Sequence, residues 1–461
     1  MKSILYSKKH YQKLKDEVAE SYSDFMQDIR EDLDEGHQTD FLSPNFLREL
    51  KTFIHSDEIK NYSPLAMHWA HGLDLLIQIV QLHEELQENE NNEELSVELE
   101  EEIFHFWDEH EHSSIFIEIT QKGKDAHAAS LELIPLLENQ LLSFYQLHLT
   151  KDPFISDLPL VYQAVPEKGD GDIGLSIGKE ANFCPLNVEH LEGLIPISRV
   201  DHQQGFIEVQ ESEDKIYNAE FSCQASVIEI EDLKLSYLPI CKKGCDQKEE
   251  QIQRIQKALN QIKSESPECF ELIQGFAKAI VPIDEAGVVS YSMQSLPGYS
   301  CLNLFERDDL DLMDDLVHEN GHHYLNAYLN HTELIDEGPD QVYYSPWRRA
   351  LRPIRGIYHA YCTFFWALKL FSDLAIKDEG KNPKILSRAL EEAEMLSFCH
   401  PLLEWAYERG DIEDEGYEVF KAFQKEVFQI ISELPRGKDN AEILELREHL
   451  KEVKEKYHSE L

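Results

Sequence analysis

The chain has 461 residues, with 89 Asp and Glu against 43 Lys and Arg, and a formal net charge of −46. So negative a molecule repels the phosphates of nucleic acid and of anionic bilayers, which argues against both as partners and suits a basic one. No stretch reaches the ~18 consecutive apolar residues of a membrane span, and Met1 to His10 lack the apolar centre of a secretory signal. The eight cysteines are scattered, which predicts reduced thiols and a cytoplasmic setting. Cys241 and Cys245 stand four apart with no second pair to complete a zinc framework.

Taken in order, residues 1–155 read as a helical region. Leu73 to Val80, with Leu82, is apolar enough for a largely buried helix. Residues 85–102, nearly all Glu, Gln, Asn and Leu, predict a solvated helix or an acidic loop. In Phe104 to His112 the histidines His110 and His112 are only two apart, which favours an exposed polar helix end over a metal site. Residues 156–246 change period. Turn signals at Lys168 to Asp172 precede alternation through Phe221, Cys223, Ala225, Ile228 and Ile230, resumed at Leu233, Leu235 and Tyr237. That stretch predicts a small antiparallel β module, built of hairpins and able to hold a peptide segment. Residues 247–435 open with a helix carried by Ile252, Ile255, Leu259 and Ile262, and continue in short strands at 279–283, 287–292 and 298–305. A helical, acidic stretch follows residue 382, and 436–461 predict a solvated, charged terminal helix. The expected fold class is α+β and mainly helical, with the β module between a helical N-terminal region and a helical metal-binding domain.

The chemistry concentrates at His318-Glu319-Asn320-Gly321-His322. On a helix, residues i and i+4 share a face one turn apart, so His318 and His322 can share one metal ion with Glu319 beside them. Asp308, Asp309, Asp311, Asp314 and Asp315 place negative charge at the helix N-terminus, where the dipole favours it. Leu312, Leu316, Leu325 and Leu329 supply the apolar stripe.

Two histidines are too few for a catalytic metal, which commonly has three protein ligands and an open position. His359 is the first candidate for the third, with Glu391, Glu392 and Glu394 as rivals. Pro353 suits the first turn of a helix, with Arg352 at the cap, and the apolar run from Ile354 to Phe371 is long enough to be buried. On that reading Arg355 and His359 face the same way and Arg352 lies one turn back. An arginine there can grip a carboxylate at two points, or pair with Asp336, Glu337 or Asp340.

The pair of segments HENGHH and SPWRRALRPIRGIYHA, within residues 280–372, resembles the HExxH-type enzymes that modify ribosomally made precursor peptides. The resemblance implies a peptide β-hydroxylase dependent on Fe(II), 2-oxoglutarate and O₂. It further implies that His318, His322 and His359 are the iron ligands, and that Arg348, Arg352 or Arg355 holds the cosubstrate. Glu319 would then support the site. Two other readings stand beside it. One is a zinc peptidase with Glu319 as general base; the other is a peptide-binding protein without chemistry.

Overall fold

The computed structural model describes residues 4–35, 41–89, 92–109, 131, 133–145, 149, 248–283, 286–287, 289–336, 342–435 and 441–458, and the backbone of eight strands between 161 and 237. The Lys168 to Asp172 turn, Cys241, Cys245, His110, His112, Glu337 and Asp340 lie outside the described residues. Among the described residues the fold is α+β and mainly helical, and no helix is long and apolar enough to cross a membrane.

The N-terminal helices are α1 (Lys8–Glu35), α2 (Pro44–Phe53), α3 (Asp57–Lys60), α4 (Pro64–Glu88), α5 (Glu93–Glu109) and α6 (Ile134–Phe144). Two of them start for a visible reason. Ser43 and Ser63 accept backbone N–H bonds at the caps of α2 and α4, each followed by a proline that needs no partner for its nitrogen. The 73–82 stretch lies in α4 and is largely buried, as its composition predicts. The end of α5 is less polar than the sequence suggests, because Phe106 and Trp107 are buried.

The predicted β module contains β1 (Val161–Pro166), β2 (Gly174–Ile177), β3 (Leu186–Glu189), β4 (Ile197–Asp201), β5 (Phe206–Ser212), β6 (Lys215–Gln224), β7 (Ser226–Ile230) and β8 (Leu233–Tyr237). Four strands form an antiparallel sheet in the order β1-β6-β5-β4, and β2 and β3 form a separate hairpin. The last hairpin, β7–β8, belongs elsewhere. After α7 (Lys248–Glu265) and α8 (Pro267–Phe276) come β9 (Ala279–Ile283), β10 (Tyr291–Ser292) and β11 (Tyr299–Asn303), and the sheet order is β10-β11-β9-β8-β7. β8 pairs with β9 in parallel, Tyr237 opposite Ile280, and two helices provide the crossover that a parallel pair needs.

β11 leads into α9 (Asp309–Leu329), followed by the hairpin β12 (Val342–Ser345) and β13 (Ala350–Pro353), then α10 (Ile354–Lys377), α11 (Pro383–Arg409), α12 (Asp414–Glu433) and α13 (Ala441–Tyr457). The buried clusters do not follow the boundary at residue 155. Leu5, Tyr6, Tyr11, Leu14 and Val18 pack into one core with the apolar faces of α7 to α12. From Tyr22 onward α1 enters a second core with α2 to α6, which also takes Met293, Leu296, Tyr299 and Cys301. One helix therefore bridges both cores.

Two expectations need correction. Of the 436–461 segment, α13 is docked, since it buries Ile443, Leu450 and Val453, Tyr457 stacks on Tyr344, and Arg447 pairs with Glu394. Three apolar residues on one helix face are enough to seat it, although charge dominates its composition. Arg352 is not a cap on the α10 face. It lies on β13 opposite Tyr343, and Pro353 itself occupies the cap position of α10.

Candidate metal centre

The N-terminus of α9 is built from its aspartates. Asp308 accepts the N–H groups of Leu310 and Asp311, while the Asp311 carboxylate accepts the N–H of Asp308, closing a capping box. Cations then clamp the acidic face from three directions: Lys257 of α7 reaches Asp309, Arg307 reaches Asp315, and Lys384 and Arg388 of α11 reach Asp308 and Asp311. The helix carrying the motif is thus fixed before its histidines begin.

One turn further, α9 meets α10 at Gly321. A Cβ at that position would stand 2.6 Å from Trp366 Cδ1 and 3.3 Å from Thr363 Cα. Glycine costs helix stability, so its presence mid-helix marks a close approach. Thr363 is one turn beyond His359, so this contact brings the His359 side of α10 against the His322 side of α9.

The three predicted histidines come together there. The rings of His318 and His322 are 4.9 Å apart, and those of His322 and His359 are 6.1 Å apart. Two imidazoles sharing one ion at the usual metal–nitrogen distance of about 2.1 Å have centroids about 5 Å apart. The first pair is already at that spacing and the second is about an ångström wide of it. Among the described residues no group of three or more His, Cys, Asp or Glu side chains lies close enough together to hold a metal ion. Three imidazoles are nevertheless a donor set of the kind a metal takes. His359 Nε2 is buried without a hydrogen-bond partner. Burial holds all three imidazoles neutral, the form a metal requires. His318 is pushed well below its ordinary pKa, His322 down to about 4 and His359 down to about 3.

After burial and neighbouring imidazoles, the remaining causes of these shifts are cations. Arg348 acts on His318 and His322, and Arg355 acts on His359. Both arginines are exposed, and Arg355 donates to Gln294 Oε1 at 2.9 Å. Guanidinium charge from two arginines therefore reaches the imidazole group. Arg352, the remaining predicted arginine, is exposed on β13 and is not among the charges acting on the histidines.

Glu319 is only 3 % exposed. Its Oε2 has no hydrogen-bond partner, and burial, reinforced by the Asp315 and Asp314 charges, pushes its pKa up to about 8. Ser292 lies close enough to temper that rise, although its hydroxyl completes no hydrogen bond of ordinary geometry. The neighbouring His323 plays a different part from His322. It is hydrogen-bonded to Ser300 of β11 and accepts the N–H of Gly298, tying α9 to the sheet.

The rival glutamates have other partners. Glu391 accepts from Ser387, Glu392 accepts from Trp347 Nε1 at 2.9 Å, and Glu394 pairs with Arg447. Two aromatic residues that the motif does not reveal form a wall of the site. Phe364 lies 4.5 Å from the His318 ring, and Trp347 stacks on Phe364 at 4.7 Å. The apolar character of the 354–371 run hides Phe364 among core residues, and no spacing within the run marks it.

No protein-family model matches the chain, and no curated protein matches it.

Proposed function

We propose that the chain is a metal-dependent peptide hydroxylase that uses a 2-oxo acid and O₂. His318, His322 and His359 hold iron(II), and the arginines beside them hold the 2-oxoglutarate carboxylates. The observation that carries this reading is the placing of His318, His322 and His359 with ring centroids 4.9 and 6.1 Å apart, where the charges of Arg348 and Arg355 act on them. A dianionic cosubstrate needs opposite charge where it binds, whereas an uncharged peptide bond does not. When bound, the iron couples decarboxylation of the 2-oxo acid to hydroxylation of a C–H bond. The chain's own residues orient and enclose. Phe364 and Trp347 exclude water on the His318 side, and the buried Glu319 supports the motif histidines. In the zinc peptidase reading Glu319 would be the general base on a metal-bound water; the cationic charge acting on the histidines favours the hydroxylase. The buried thiols of Cys269, Cys362 and Cys399 suit a cytoplasmic enzyme, and a precursor peptide is its proposed substrate.

The test has two parts. Iron content and 2-oxoglutarate binding are measured under nitrogen for the wild type, His359→Ala, Arg348→Lys and Arg355→Lys. His359→Ala is expected to lose iron. At least one lysine variant is expected to keep iron and to bind 2-oxoglutarate about tenfold more weakly, since lysine loses the two-point grip. Succinate formation in air with iron(II) and 2-oxoglutarate completes the picture. Zinc-loaded protein that cuts peptides without O₂, and never consumes 2-oxoglutarate with iron, would establish the peptidase instead.

A further inference from the structure

We propose that the cleft beside the imidazoles seats an arginine or lysine side chain of the substrate polypeptide and thereby selects the residue presented to the histidines. The inference deepens the peptide-modifying reading and rests on it.

The cleft has a volume of about 590 Å³ and lies between the β12–β13 turn, α10, α11 and α13, within the range of ligand-binding pockets. Its lining is of two kinds. Trp347, Phe364 and Met395 are apolar, and Glu391, Glu442 and Glu445 bring carboxylates, against a single guanidinium from Arg349 and the imidazole of His449. Lysine and arginine are the side chains with that same division, an aliphatic stem ending in a cation, and a cation over an indole face gains further. The indole is held for the purpose, because its N–H is committed to Glu392 and its face is stacked on Phe364.

The position of the cleft gives it a role. Trp347 and Phe364 line it, and Phe364 also lies against His318. The cleft and the imidazoles are therefore two sides of one aromatic wall. An extended peptide advances about 3.3 Å per residue, so a side chain anchored in the cleft places a residue roughly two or three positions away at the histidines. The β12–β13 turn that lines the cleft is itself constrained: Arg349 sits at φ 50°, a left-handed conformation rare outside glycine. Arg348 acts on the imidazoles, while its neighbour Arg349 lines the cleft.

A molecule of charge −46 attracts any cation, so the test must separate the cleft from the general field. The probe is a fluorescein-labelled nonapeptide, Gly-Ser-Gly-Ser-Arg-Gly-Ser-Gly-Ser. It is compared with its citrulline counterpart, which has the same shape without the charge, by anisotropy at 150 mM NaCl. The wild type is expected to prefer the arginine peptide about tenfold. Glu391→Gln/Glu445→Gln should reduce the preference below about twofold, and Glu445→Lys, at an exposed position, should make the protein favour a glutamate peptide. Glu98→Gln/Glu101→Gln on the exposed face of α5 should leave the preference unchanged. Equal binding of the two peptides by wild type overturns the proposal. So does a preference that survives the cleft substitutions, or one that falls equally in the α5 variant. These measurements need no iron, 2-oxo acid or O₂, so loss of the hydroxylase reading and loss of the cleft are told apart. Equal oxygenation of charged and uncharged peptides would keep the former and remove the latter.

Discussion

Single residues in this protein are tuned mainly by burial, and His400 is the clearest case away from His318, His322 and His359. It is 6 % exposed, its Nε2 is 2.8 Å from the Tyr361 hydroxyl, and burial pushes its pKa down to about 4. In the unfolded chain an imidazole takes up its proton near pH 6.5. Between those values the unfolded chain binds the extra proton and the native protein does not. Stability from this group is therefore complete above pH 6.5 and is lost as the pH falls toward 4, by up to about 3 kcal/mol. Other buried histidines act in the same direction, so the comparison with His400→Phe isolates the term. In urea unfolding the wild type should lose about 2–3 kcal/mol more than His400→Phe between pH 7.5 and 4.5. Parallel losses would mean that His400 is already protonated in the folded protein or reached by solvent. At this scale the sequence was partly legible. The i, i+4 spacing of His318 and His322 specifies a shared face whatever surrounds it, and His359 was reachable from its place in an apolar run. The division of work among Arg348, Arg352 and Arg355 was not, because proline fits equally at a helix cap and at its first turn. Placing the cap at Pro353 instead moves Arg352 onto a strand.

Elements meet where small residues let them, and the closest approach of α9 to α10 is at Gly321. Gly321→Ala should pry the helices apart by forcing Trp366 aside, at a cost of about 1–3 kcal/mol. On the proposed function it should also weaken iron binding, since the displaced helix carries His359, the proposed third ligand. Calorimetric melting and iron titration check the two halves. An alanine variant of unchanged melting temperature and iron affinity would show that α10 repacks freely. No reading of HExxH spacing alone shows this contact, because the partner ring of Trp366 is 45 positions away in a second helix. The pairing of β8 with β9 was hidden for the same reason. Each strand has its own period, but a parallel partner across two helices leaves no local mark. α13 was misjudged differently: its few buried residues were outvoted by the charge around them.

For the whole molecule, the formal charge of −46 is the largest single bias. Like charges held in a compact body repel, and salt screens them, with the Debye length falling from roughly 20 Å at 0.02 M to about 4 Å at 0.5 M. Exposed ion pairs such as Lys257–Asp309 lose strength under the same conditions, but each is worth less than about 1 kcal/mol. The melting temperature should therefore rise by several degrees between 20 and 500 mM NaCl. A fall would show that the clamps around α9 outweigh the repulsion.

The bridge made by α1 has a consequence in time. His10 is hydrogen-bonded to Tyr328 across 318 positions of sequence, and Leu5 to Val18 fill a core whose other walls come from residues 255 to 434. At translation rates of roughly 5–20 residues per second, the leading helix exists for about 15–60 s before α9 emerges to meet it. During that interval its second half can pack with α2 to α6, while the apolar face of its first half has nothing to cover it. Ribosome-bound chains arrested near residue 200 should accordingly recruit a chaperone through residues 4–18, and chains arrested beyond the end of α12 should release it.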